Sequence, residues 1–70
     1  MALSENIRKC RTEKGMTVEE LGKAINASHS TITNWEMGRK IPNGLYLVDL
    51  AKTLGTTAEK LVYDKSKKEK

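Results

Sequence analysis

Residues 17–38 read TVEELGKAINASHSTITNWEMG, and start and stop signals divide them into two short helices. Thr17-Val-Glu-Glu20 is a Thr-x-x-Glu capping box, in which hydroxyl and carboxylate satisfy backbone donors that the first turn leaves orphaned. Val18, Leu21 and Ile25 then form an apolar stripe. Gly22 lies on that stripe, where its helix cost of about 1 kcal/mol relative to alanine calls for another helix crossing closely. Asn26 tolerates the left-handed conformation that ends a helix, and Ser28 is a cap for the next one. Two helices joined by so short a turn cannot be collinear. On the second of them, Ile32 and Trp35 share a face with Ser28, which leaves Ser30, Thr33, Asn34 and Met37 opposite and His29 at the flank. Two large apolar anchors thus hold a helix whose outward side is made of short hydrogen-bonding groups, unlike the Lys and Glu of an ordinary solvated face.

Working outward, the periodicity predicts a helix from about Leu3 to Lys14, with Leu3, Ile7 and Cys10 on one face and Gly15 as its stop. Cys10 reads as a small core residue rather than a reactive thiol. After Gly38 the segment Arg39-Lys-Ile-Pro42 cannot continue a helix, and Asn43 caps a fourth, whose stripe is Leu47, Leu50, Ala51 and Leu54, ended by Gly55. Thr57 opens a last short helix containing Ala58, Leu61 and Val62. Strand patterning is nearly absent, so the fold class is all-α with five helices, a domain over residues 1–63 and a basic tail over 64–70 without expected order.

At 70 residues the chain carries one domain near the lower size limit for folding by packing alone. One cysteine and one histidine give no disulfide and no cluster of strong metal ligands. No paired catalytic groups occur, so the chain reads as no enzyme and is expected to use no cofactor, metal or small-molecule substrate. It has no apolar run of signal or membrane-spanning length, and a cytoplasmic location is the expectation. The net charge is +4, but Lys65, Lys67, Lys68 and Lys70 against Glu69 account for three of those charges. Charge alone therefore identifies no partner, and the Lys-rich end reads first as a solvated terminus.

The string GMTVEELGKAINASHSTITNWEMGRKIP resembles the helix-turn-helix core of the phage repressor and Cro-like family, and the flanking IRKCR and LVDLAKTLG are similar to that family's first and fourth helices. The resemblance covers roughly residues 4 to 62 and implies a five-helix, lambda-repressor-like DNA-binding domain. In that family the third helix enters the major groove, which implies Ser28, His29, Ser30 and Asn34 as base-reading residues. Asn34 is the candidate for adenine, since an amide can bond both of its major-groove positions. Thr17, Val18, Thr33, Arg39, Lys40 and Asn43 are the expected DNA-backbone contacts, which position without reading sequence. Where the family commonly has a phosphate-binding glutamine this chain has Val18, whose backbone amide alone could serve. Arg11 and Glu36 match a structural ion pair of the family.

The functional expectation is a sequence-specific DNA-binding transcription regulator, with repression the preferred direction. The alternative is a protein-interaction module of the same fold, such as an antitoxin or co-activator domain, with Met37, Ile41 and Tyr46 as apolar contacts. The expected partner is a palindromic double-stranded operator bound by a homodimer, because one helix reads too few base pairs to find a site in a genome. Two copies would then read half-sites about 34 Å apart, meeting through Ile41, Tyr46, Leu61 and Tyr63.

Overall fold

The computed structural model describes residues 2–62 and places them in five helices: α1 Ala2–Glu13, α2 Val18–Ile25, α3 His29–Glu36, α4 Gly44–Leu54 and α5 Ala58–Val62. Each helix contributes one essentially inaccessible aliphatic side chain to a single core: Ile7, Leu21, Ile32, Leu50 and Leu61. Burying each such side chain is worth about 1.5–3 kcal/mol, so the five together supply the main cohesion of a small domain without disulfides. Leu3, Ile25, Trp35, Ala51 and Leu54 complete the cluster, and Cys10, Val18 and Leu47 pack against it partly buried. No helix among the described residues is long and apolar enough to cross a membrane. Tyr63 and the Lys-rich segment 64–70 lie outside the described residues.

The helix boundaries follow from local chemistry. The Thr17 hydroxyl accepts the Glu20 amide at 3.0 Å while Glu20 Oε1 accepts the Thr17 amide at 2.8 Å, so the capping box is closed in both directions. Ser28 caps α3 by accepting the Thr31 amide at 3.2 Å, Asn43 caps α4 through the Tyr46 amide at 2.9 Å, and Thr57 caps α5 through the Lys60 amide at 3.1 Å. Past the last turns of α1, α2, α3 and α4, an amide donates five residues back, to Arg11, Gly22, Asn34 and Ala51. The residue before that donor is left-handed each time: Gly15, Asn26, Gly38 and Gly55. Asn26 is the one non-glycine among them, at φ +60°, a conformation that asparagine reaches more readily than most residues.

Gly22 has a different reason from the one its stripe position suggests. A Cβ there would stand 2.5 Å from the Ala27 carbonyl oxygen, whereas the nearest atom of α3, Ile32 Cγ1, is 3.9 Å away. The constraint is the backbone of the turn itself, folded back so that the Ala27 amide reaches the Gly22 carbonyl at 2.8 Å. The tight α2–α3 connection therefore needs a residue without a side chain one turn before it.

Candidate nucleic-acid interface

Helix α3 is held from behind and open in front. Ile32 and Trp35 are buried, and the Trp35 ring meets Tyr46 of α4 edge-on, with centroids 5.1 Å apart at 60°. Such an aromatic pair adds about 0.5–1.5 kcal/mol beyond its buried area. At the far end of α3, Glu36 is gripped by Arg11 of α1: Nε donates to Oε2 at 2.7 Å and an Nη to Oε1 at 3.1 Å. The other Nη donates to the Met16 carbonyl at 2.8 Å, so one guanidinium ties α1, the α1–α2 connection and α3 together. The Arg11 guanidinium is held above its usual ionisation range, chiefly by the hydrogen bond to Glu36, with burial opposing and the Glu36 charge assisting.

On the outward side His29 and Ser30 are exposed in the first turn, and Thr33 and Asn34 are half-exposed one turn later. His29 Nδ1 lies 3.4 Å from the Thr33 hydroxyl, a contact that links the first turn of the helix to the second. The Ser28 hydroxyl is committed locally, both as the cap and through a 2.8 Å contact with the Thr31 hydroxyl. Of the four implied base-reading residues, His29, Ser30 and Asn34 thus present side chains free of capping duty, while Ser28 carries two roles. Beside them a groove at the turn is lined by Glu19, Lys23, Asn26, Ser28 and His29.

The residues expected at the DNA backbone surround this face. Arg39 and Lys40 are exposed, and their amides donate to the Asn34 carbonyl at 2.9 and 3.3 Å, so both cations leave from the closing turn of α3. The Thr17 amide and hydroxyl oxygen are both engaged in the capping box, which leaves the amides of Val18 and Glu19 as the unsatisfied donors of the α2 terminus among the described residues. The Val18 side chain instead packs half-buried against the core. Asn43 Oδ1 is occupied by the α4 cap, so its NH2 is the group facing outward chemistry.

The residues expected to join two copies fare differently. Leu61 is 1% exposed and sits in the core, because α5 folds back onto α1, where Asn6 Nδ2 donates to the Leu61 carbonyl at 2.6 Å. It cannot contact a second chain in this fold. Tyr46 is half-buried against Trp35, Ile41 is 63% exposed, and Tyr63 lies outside the described residues. Sequence reasoning missed Leu45 and Val48, exposed at 81% and 45% on the outer face of α4. The signal was available: they fall off the Leu47, Leu50, Ala51, Leu54 stripe yet are aliphatic.

Two helices joined by a fixed left-handed turn, the second anchored by its back and exposing a polar front, define a helix-turn-helix domain. A family model described as helix-turn-helix matches residues 7–61, and the chain belongs to that family. Its fold is that of the phage repressor domains: it superposes on the P22 c2 repressor, solved in complex with synthetic operator 9T, with a TM-score of 0.83 and 31% identity over 87% of this chain and 92% of that one. The chain is 31% identical over 62 residues to the HTH-type transcriptional activator BcrR of Enterococcus faecalis, covering 89% of this chain and 30% of BcrR. It is 41% identical over 49 residues to multiprotein-bridging factor 1 of Eremothecium gossypii, covering 70% of this chain and 32% of that protein. The chain therefore spans about a third of the length of these two relatives.

Proposed function

We propose that this chain is a DNA-binding transcription regulator that sets α3 in the major groove of a double-stranded operator, with repression as its mode. The observation that carries this reading is the front of α3: His29, Ser30 and Asn34 stand clear of the core on a helix whose back and far end are fixed. Their polar atoms match the donor and acceptor code of base edges. Arg39, Lys40 and the α2 N-terminal amides supply the phosphate contacts that set register. The likeness to the P22 c2 repressor supports the same docking. Two copies on a palindromic site, each reading one half, give the specificity that one short helix lacks.

Selection of bound sequences from random duplexes tests the reading. The expected product is a symmetric motif with half-sites about one helical turn apart. Enrichment of no motif, with only salt-sensitive binding to every duplex, would overturn it. A second reading, a protein-interaction module, is favoured by the likeness to multiprotein-bridging factor 1 and by exposed Met37 and Ile41. It is the reading left standing if no motif emerges.

A further inference from the structure

The chain holds four asparagines, and Asn43 alone among them is followed by glycine: Asn6 precedes Ile7, Asn26 precedes Ala27 and Asn34 precedes Trp35. The amide carbon of an asparagine is open to attack by the backbone nitrogen of the next residue, and a glycine there, without a Cβ, leaves the approach unobstructed. Asn43 and Gly44 are both exposed, and nothing lies within 4 Å of where a Cβ on Gly44 would stand. The pair also sits where its chemistry has a consequence. Asn43 caps α4, its Oδ1 accepting the Tyr46 amide at 2.9 Å, and its NH2 is the outward group.

The fold guards this pair. Ring closure needs Cβ and the Gly44 nitrogen eclipsed about the Asn43 Cα–C bond, and the extended ψ of 176° keeps them staggered. Turning that bond moves the Asn43 carbonyl, which accepts the Leu47 amide at 2.8 Å, and pulls the side chain away from the Tyr46 amide. Closure therefore waits for the first turn of α4 to open, a local event that costs less than global unfolding.

We propose that Asn43-Gly44 is a self-modification site, which turns a DNA-backbone group into an acid when that turn opens. The Gly44 nitrogen bonds to Asn43 Cγ, the Cγ–Nδ2 bond breaks, and ammonia leaves with the proton of the Gly44 amide. Water then opens the cyclic imide at either carbonyl, giving aspartate or isoaspartate. Aspartate caps a helix as well as asparagine does, but it has lost the NH2 donors, and its carboxylate repels a phosphate. Isoaspartate carries the main chain through Cγ, so the cap is lost. The effect on DNA rests on the operator-binding reading, whereas the reaction itself does not.

Incubation of the full chain in mildly alkaline buffer, followed by peptide mass mapping, tests the reaction without DNA. Acid should accumulate at Asn43 ahead of Asn6, Asn26 and Asn34, by about tenfold or more faster in urea than in the folded protein, and Gly44→Ala should suppress it in both. Another asparagine in the lead, equal rates in the folded protein and in urea, or a Gly44→Ala chain that reacts as fast as wild type would overturn the proposal. The consequence is read by comparing Asn43→Asp with Asn43→Ser, both of which keep a cap and should melt alike. Asn43→Asp should bind duplex about tenfold more weakly at low salt, with the gap narrowing as salt rises. Equal affinities at every salt concentration would reject the loss of the backbone contact. If wild type binds no duplex while Asn43 still reacts first, the mass result supports the site and only the operator reading fails.

Discussion

Arg11 and Glu36, 25 positions apart, form a two-pronged ion pair whose side chains are only 13% and 9% exposed, and the same guanidinium also holds the Met16 carbonyl. Both the orientation of α3 and the start of α2 hang on this group. Replacing Arg11 by Met should cost about 2 kcal/mol, since hydrogen bonds to charged groups leave costly orphans when one partner goes. For a domain of this size that lowers the melting temperature by about 10 °C. Arg11→Met with Glu36→Gln should lose less than the sum of the single changes, because the pair is broken only once. Additive losses in thermal melts would contradict the coupling. Raised ionisation of Arg11 contributes stability in full below its ordinary value and loses it as the pH rises through the folded one, so this contribution stays flat from about pH 6 to about pH 10.

Gly22 and Gly44 should respond oppositely to alanine. At Gly22 the new methyl meets a backbone carbonyl at 2.5 Å, so the overpacking cost of about 1–3 kcal/mol outweighs the gain in helix propensity. Nothing lies within 4 Å of a Cβ on Gly44, and Gly44→Ala should be neutral or mildly stabilising, by about 0.4–1 kcal/mol. Denaturant titrations of both variants decide the matter, and a stabilised Gly22→Ala would mean that the α2–α3 turn can relax.

In the proposed docking, Asn34 and Lys40 separate reading from anchoring. Asn34→Ala should cost about 1–3 kcal/mol on the preferred operator and relax one base position, whereas Lys40→Ala should weaken binding to all sequences and reduce the salt slope by about one. Fluorescence titrations at several salt concentrations, on preferred and scrambled duplexes, measure both. A change in base preference caused by Lys40→Ala would contradict its assignment to the backbone.

Ser28 and His29 separate capping from reading. Ser28→Ala removes the α3 cap and should destabilise the free protein by about 1 kcal/mol, while His29→Ala should leave the melting curve within about 0.5 kcal/mol. Both should weaken operator binding. Restoring the cap with Ser28→Asp should recover stability while leaving the operator affinity low, since a carboxylate repels phosphates and donates to no base.

Much of this architecture was legible in the sequence because it is local. The Thr17–Glu20 box, the Ser28, Asn43 and Thr57 caps, the left-handed Asn26 and the two-residue anchoring of α3 by Ile32 and Trp35 all follow from chemistry within one or two turns. What escaped depends on where remote segments meet. Leu61 looked like spare apolar area because its burial depends on α1, at the other end of the domain, whose Asn6 bonds the Leu61 carbonyl from 55 positions away. Gly22 pointed to a crossing helix, whereas the crowding atom is the Ala27 carbonyl, which only the folded turn brings near. Leu45 and Val48 are aliphatic like the residues of the core stripe, and only the packed position of α4 shows that they face outward. For the reading face the sequence supplied candidates by resemblance, and the base each one meets depends on a duplex as well as on the chain.

The rigid turn between α2 and α3 separates two kinds of information. The path of α3 is set by backbone bonds around Asn26 and Ala27 and by side chains on its hidden side, so His29, Ser30 and Asn34 carry little of the burden of folding. In the proposed docking, single substitutions at these three positions would rewrite operator preference while the domain keeps its shape, making α3 a letter tray whose type is exchangeable. Ser28 is the fixed character in that tray: its hydroxyl caps the helix, so changing it loosens the frame whatever it would do to the message.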